Sequence, residues 1–171
     1  MKLENIEVKI NEPYPEIVGA TDDPTTVALL KNLANGKVGE MAASSQYIFQ
    51  SVVADEANEE IAEIFEEIGI VEMMHLDMLM HAISKFGGIP KYEDAVGNYF
   101  NTSGLNYTIK LKDMLMHNIN AEQRAIKLYE ETIRRVNNSS LIKLLERIIK
   151  DEKRHVEIFK QILNTVEFMS V

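Results

Sequence analysis

The sequence predicts an all-α protein: an up-and-down four-helix bundle with a long crossover between its second and third helices. Three observations carry this expectation. Four long segments repeat their apolar residues at helical spacing. Strand signals are confined to one alternating run, Ile6-Glu7-Val8-Lys9-Ile10, which reads as an extended arm or a short edge strand. The link between the second and third segments is much longer than the turns joining the other pairs. A chain of 171 residues suits one domain, here an extended arm over residues 1–23 followed by a bundle over 24–171.

The first helix opens at Asp23-Pro24, an N-cap followed by proline at the first position. It is expected to run from Pro24 to Val53, weakened by Gly36 and Gly39 at about 1 kcal/mol each. The second spans Asn58 to Phe86, where Gly87-Gly88 stops it and Pro90 follows. The third is expected from Leu105 to Val136, and the fourth from Ser139 or Ser140 to Thr165. Such helices build a bundle about 40 Å long. Ile61, Ile64, Phe65, Ile68, Leu79 and Ile83 form one core stripe; Leu141, Leu144, Leu145, Ile148, Ile158 and Ile162 form another. Antiparallel second and third helices would need only a few linking residues. Parallel ones require the link to travel about 46 Å, and Gly87–Gly104 fully extended reaches about 60 Å. The parallel arrangement, with a crossover, is the better fit.

Composition narrows the function. The chain has no Cys, which excludes a disulfide scaffold, Cys-ligated metal sites and a Cys nucleophile. The net charge of −9 argues against a nucleic-acid partner. No segment has the length and apolarity of a transmembrane helix, and MKLENIEVKINEPYP shows no signal-peptide core, so a cytoplasmic protein without a membrane partner is expected. The sequons at Asn101, Asn137 and Asn138 therefore read as loop residues. The acidic run Glu56, Glu59, Glu60, Glu63, Glu66, Glu67 reads as a solvated helix start favoured by the helix dipole.

The residues that break the apolar stripes are more informative. Glu72-Met73-Met74-His75 and Glu152-Lys153-Arg154-His155 each place a carboxylate and an imidazole on one helical face, one turn apart. Their neighbours Ile68, Leu76, Leu79, Ile148, Val156 and Phe159 turn that face inward. Buried carboxylates need a metal or another charge beside them. His81 and His117 lie off these faces and are expected at the surface.

Register adds weight. In an antiparallel hairpin, residues at one level are equidistant from the turn. Glu40 and Glu72 are centred on the first hairpin connection, and Glu122 and Glu152 on Asn137–Ser140. Each hairpin thus levels a single Glu with a Glu-x-x-His. The hairpins also repeat at an offset of 80 residues: Glu72, His75 and Leu76 face Glu152, His155 and Val156. Tyr47 and Tyr129 lie two helical turns after Glu40 and Glu122.

The pattern Glu40, Glu72-x-x-His75, Glu122, Glu152-x-x-His155 resembles the ligand set of the ferritin-like di-metal carboxylate superfamily. Glu40-Met41-Ala42-Ala43-Ser44-Ser45-Gln46-Tyr47 and Gly88-Ile89-Pro90 are most similar to bacterioferritin and rubrerythrin strings. Manganese catalases share the ligand logic but resemble the chain less, because their crossover is longer. Rubrerythrins carry a second Glu where this chain has Ala125, and usually a Cys-rich electron-transfer module. With few residues after Thr165 there is no fifth helix, so a homodimer is expected rather than a 24-subunit shell.

The resemblance implies two iron ions, with manganese as the alternative and zinc as an adventitious occupant. Glu40 and His75 would hold one ion, Glu122 and His155 the other, with Glu72 and Glu152 bridging, or one of them bridging and the other shifting. Asp151 resembles the family Asp that hydrogen-bonds the opposite hairpin's His, here His75; the matching position is Val71. Tyr47 and Tyr129 are candidates for bonding the Glu ligands or quenching radicals. Met73 stands where bacterioferritins place a haem ligand, but nine Met are spread along the chain, so it reads as packing and no haem is expected. The implied activity is that of an oxidoreductase that reduces peroxide or O₂ with an external electron donor, or oxidises Fe(II). Iron storage and catalase-type disproportionation are the alternatives.

Overall fold

The computed structural model describes residues 6–169, with side chains through Val166. The outermost parts of the expected arm and bundle, residues 1–5 and 170–171, lie outside the described residues. Five α-helices make up the fold: α1 (Pro24–Asn35), α2 (Glu40–Asp55), α3 (Glu59–Lys85), α4 (Leu111–Ile133) and α5 (Ser139–Met169). A short 3₁₀ turn lies at Thr102–Gly104. Among the described residues no helix is long and apolar enough to cross a membrane.

The bundle is the expected four-helix one, with its first helix in two pieces. The caps are those of the sequence: Asp23 accepts from the backbone N–H of Thr25 and Thr26, and Asn58 from that of Ile61. The continuous helix expected over Pro24–Val53 is instead interrupted at Gly36–Gly39. At Gly36 a Cβ would stand 2.4 Å from the Asn32 carbonyl oxygen, and at Gly39 2.4 Å from that of Leu33. No side chain fits at either position, so the backbone is free to fold through the break. Glu40 consequently becomes the first residue of α2.

Polar contacts display the topology. Tyr129 meets Glu40, Tyr47 meets Glu122, and the buried amides of Gln50 and Asn118 bond reciprocally at 2.9 and 2.6 Å. Partner numbers rise on α2 as they fall on α4, so these helices run antiparallel. With α2/α3 and α4/α5 joined as hairpins, α3 and α4 are parallel, and the crossover over residues 86–110 connects them. It is tied to α1 by Lys31–Glu93 at 2.5 Å and Ala95 N–H to Asn32 at 3.0 Å. The third bundle helix begins at Leu111 rather than Leu105, because Asn106 is held in extended form. Its N–H donates to Gln46 Oε1 at 2.7 Å, and its carbonyl accepts from Gln46 Nε2 at 2.8 Å. The fourth runs past Thr165, to Met169.

The arm is extended, without a strand among the described residues, and lies along its own α5. Arg147 donates to the carbonyls of Ile10 and Glu12, and Arg154 to that of Glu7. Ser140 and Asn138 hold Val18.

Apolar packing falls into two clusters. One gathers Leu30, Leu33, Leu79, Ile83, Leu141 and Leu145; the other gathers Phe65, Ile68, Met114, Leu115, Phe159 and Ile162. Each buried aliphatic or aromatic side chain contributes about 1.5–3 kcal/mol. Between the clusters lies a layer of buried charge.

Candidate metal centre

Glu40, Glu72, His75, Glu122, Glu152 and His155 are all buried and meet in that layer. Their donor atoms form two overlapping groups. Glu40, Glu72, His75 and Glu152 make one; Glu72, Glu122, Glu152 and His155 make the other. Within each group the atoms lie within 4.8 Å of one another. Glu72 and Glu152 belong to both.

The imidazoles approach through Nδ1. His75 Nδ1 lies 3.1 Å from Glu152 and 3.3 Å from Glu72. His155 Nδ1 lies 2.9 Å from Glu72 and 3.3 Å from Glu152. Each His thus reaches across to the opposite hairpin's Glu, as the internal repeat requires.

The electrostatics call for cations. Burial, then the Glu152 and Glu72 charges, push the Glu40 carboxyl well above the usual range. Burial with Glu72 and Glu152 does the same to Glu122. Burial opposes the charged form of His155, yet the facing Glu72 and Glu152 raise it to about 9. Among the described residues Glu72 Oε1, Glu152 Oε1 and His155 Nε2 are buried without a hydrogen bond, the two oxygens facing only the His155 and His75 Nδ1 atoms as ion pairs. Carboxylate oxygens and imidazole nitrogens gathered this closely are of the donor types that can hold divalent first-row ions.

The tyrosines cross between hairpins. Tyr47 on α2 donates to Glu122 on α4, and Tyr129 on α4 donates to Glu40 on α2. Both rings are buried, and each hydroxyl occupies one oxygen of its carboxylate, leaving the other for a metal.

The two histidines differ on their far sides. His75 Nε2 lies 3.2 Å from Asp151 Oδ2, whereas His155 Nε2 has no hydrogen-bond partner among the described residues. Asp151 has four partners from three parts of the chain. Its Oδ1 accepts from Ile10 N–H at 2.7 Å and lies 2.8 Å from Arg147 Nη1, and its Oδ2 accepts from Tyr14 Oη at 2.6 Å. The Arg147 guanidinium also covers the Tyr14 ring, 4.4 Å from its centroid. Burial works against the Asp151 charge, but these donors hold its carboxyl well below the usual range. An ionised Asp151 fixes the proton of His75 on Nε2 and leaves Nδ1 free to ligate.

Tyr14 and Arg147 are the residues that sequence reasoning missed: Tyr14 reaches the site from the arm, and Arg147, buried one helical turn before Asp151 on α5, joins the arm to it. His81 is exposed. His117, expected at the surface, is half-buried in a cleft that ends at Glu122. Met73 is 45% exposed on α3, outside the carboxylate layer.

Known proteins carry the same architecture. A probable manganese catalase of Clostridium acetobutylicum is 27% identical over 168 residues, covering 85% of this chain and 73% of that protein. The manganese catalase KatB of Anabaena superposes with a TM-score of 0.84 at 26% identity, over 92% of this chain and 80% of KatB. A Desulfovibrio desulfuricans bacterioferritin shares the fold with a TM-score of 0.72 at 20% identity, over 84% of this chain and 80% of its own. Of these two solved structures the catalase superposes better, although its crossover led the sequence reading to place such enzymes further away. The rubrerythrin family model matches residues 31–163, which contain all six converging Glu and His residues. The chain belongs to the rubrerythrin family.

Proposed function

We propose that the protein is a di-metal carboxylate oxidoreductase that holds two manganese ions through Glu40, Glu72, His75, Glu122, Glu152 and His155 and disproportionates hydrogen peroxide to water and O₂. The observation that carries the reading is the symmetric layer of four buried Glu and two His on a chain with no Cys of its own. Likeness to manganese catalases across most of the chain supports manganese. The bound ions would supply the two-electron couple that peroxide chemistry needs. The protein's part is to hold that couple in place. Tyr47 and Tyr129 each tie up one oxygen of Glu122 and Glu40, so the carboxylates cannot rotate. Asp151 sets the tautomer of His75. The apolar clusters on either side keep bulk water from the layer.

Membership in the rubrerythrin family favours a second reading, a di-iron peroxidase or ferroxidase fed by an external electron donor. An oxygen electrode separates the two. Manganese-loaded protein evolving O₂ from peroxide without reductant supports the catalase reading. Peroxide consumption by the iron-loaded form alone, and only with added ascorbate, supports the second. Anomalous scattering at the Mn and Fe edges identifies the resident metal. A cytoplasmic homodimer belongs to the same reading, and sedimentation near 24 subunits would overturn that part and favour iron storage.

A further inference from the structure

A cleft between α2, α4 and the crossover leads from the surface to the carboxylate layer. Its inner part, about 70 Å³, ends at Glu122, which is itself buried. Its outer part, about 540 Å³, lies beneath the crossover. The two share Lys37, Ala42, Gly104 and Leu105 on their walls, so they adjoin. The inner part is open because its walls are built of small residues: Ala42 and Ala43 on α2, Ala121 and Ala125 on α4. One helical turn separates Ala121 from Ala125, so their methyl groups flank Glu122 along the same side of α4.

Above its floor the passage is lined by two cations, Lys37 and Arg124, and one acid, Asp94. Lys37 and Arg124 stand on the inner lining and are exposed to solvent. Neither is in an ion pair among the described residues. Burial, with Arg124 nearby, holds His117 below its ordinary value, so at neutral pH it adds polarity without charge. Asp94, the acid of the outer part, stays ionised, because the Asn98 amide and the N–H groups of Asn98 and Val96 donate to its carboxylate and hold it below its ordinary value; the two cations outnumber it. On a chain of net charge −9 this is a local positive mouth. An excess of one sign of charge along a cleft raises the local concentration of ions of the opposite sign.

The geometry points to this cleft as the access route for the oxidant. Ala121 and Ala125 set its bore, and Lys37 and Arg124 make it admit small neutral or anionic molecules such as hydrogen peroxide or azide while turning ferrous and manganous ions away. Metal ions then load by another path. The inference needs ions at the centre, as proposed above, but not any particular reaction.

The test uses iron-loaded, oxidised protein with azide as the probe, followed by stopped-flow absorbance of the azide–iron(III) band. Ala125→Leu fills the bore. It should slow azide association at least tenfold while metal content and melting temperature stay at wild-type values. In manganese-loaded protein it should lower kcat/KM for peroxide by a similar factor. The double variant Lys37→Glu, Arg124→Glu leaves the bore open and reverses the mouth. It should slow azide association about tenfold at low salt, with the difference shrinking as salt screens it, and change kcat/KM for neutral peroxide less than twofold. Should Ala125→Leu fail to fold, Ala121→Val narrows the same bore and is read the same way. Azide association within twofold of wild type in the bore variant and in the charge-reversed variant overturns the route. A wild type that binds azide but shows no peroxide activity with either metal overturns the proposed reaction and leaves the route standing.

Discussion

Replacing Asp151 with Asn tests how the arm, α5 and His75 are bound together. The carboxylate is fully buried and has four partners: Ile10 N–H and Arg147 on Oδ1, Tyr14 Oη and His75 Nε2 on Oδ2. An amide keeps one acceptor oxygen and turns the other into a donor. Facing Oδ1, the NH₂ group opposes Ile10 N–H and leaves Arg147, only 4% exposed, without its counter-ion. Facing Oδ2, it opposes the Tyr14 hydroxyl and the His75 N–H. Either orientation loses two contacts and the charge. Breaking a buried pair of this kind costs about 3–5 kcal/mol. For a chain of this size each kcal/mol shifts Tm by about 2–4 °C, so Asp151→Asn should melt roughly 6–20 °C below wild type. Tyr14→Phe removes one hydrogen bond to a charged group, about 1.5–3 kcal/mol, and should fall between them. The pH dependence has a definite sign. Because the folded-state carboxyl sits below its ordinary range, its contribution is complete above that range and is lost only as pH falls through the folded value. The deficit of Asp151→Asn should therefore hold steady through neutral pH and narrow only in strong acid. Differential scanning calorimetry of metal-loaded proteins reads all three quantities. A variant melting within about 2 °C of wild type would refute the claim that Asp151 anchors the arm.

Three other perturbations follow from the same geometry. Metal-free protein should lose stability as pH rises from about 6.5 to about 9, by about 3 kcal/mol, because the raised His155 imidazolium stabilises the fold below its unfolded value and that contribution vanishes as it deprotonates; urea titrations of chelator-treated protein measure this, and manganese-loaded protein should show no such slope. His155→Ala should cut turnover at least 100-fold with both ions retained, whereas Glu152→Ala, which removes a residue common to both donor groups, should also lower metal content; elemental analysis beside oxygen evolution distinguishes them, and two ions retained in Glu152→Ala would contradict its shared role. Gly39→Ala should destabilise by roughly 1–3 kcal/mol, since its Cβ would meet the Leu33 carbonyl and the Gly36 nitrogen, backbone atoms that cannot swing aside; a melting curve matching wild type would show that the break tolerates a side chain.

The six converging residues were legible because they obey two local rules at once: Glu-x-x-His at helical spacing, and equal distance from a hairpin turn. Tyr14 and Arg147 obey neither. Arg147 does stand four residues before Asp151, one helical turn away, but the bond of Tyr14 to Asp151 and those of Arg147 to the arm span well over a hundred residues of chain, and no periodicity encodes them. The break at Gly36–Gly39 was read as a propensity cost within a helix, whereas its cause is steric, set by carbonyls that only the folded backbone brings close. The late start of α4 had a signal in β-branched Thr108 and Ile109, but the clasp between Gln46 and Asn106 decides it, and that pairing is tertiary. His117 lies off the ligand face by spacing, and only the folded crossover encloses it.

The charged layer divides the apolar interior into two clusters that meet across Glu40, Glu72, Glu122 and Glu152. Most bundles of this size unfold as one cooperative unit because a single continuous core couples their ends. Here the coupling passes through like-charged groups, so bound cations become part of what makes the molecule one unit. Without them the two ends should melt at separate temperatures, and the calorimetric enthalpy should exceed the van't Hoff value. With them the transitions should merge. Loss of metal would then announce itself as partial opening at one end of the bundle, a form that proteases recognise.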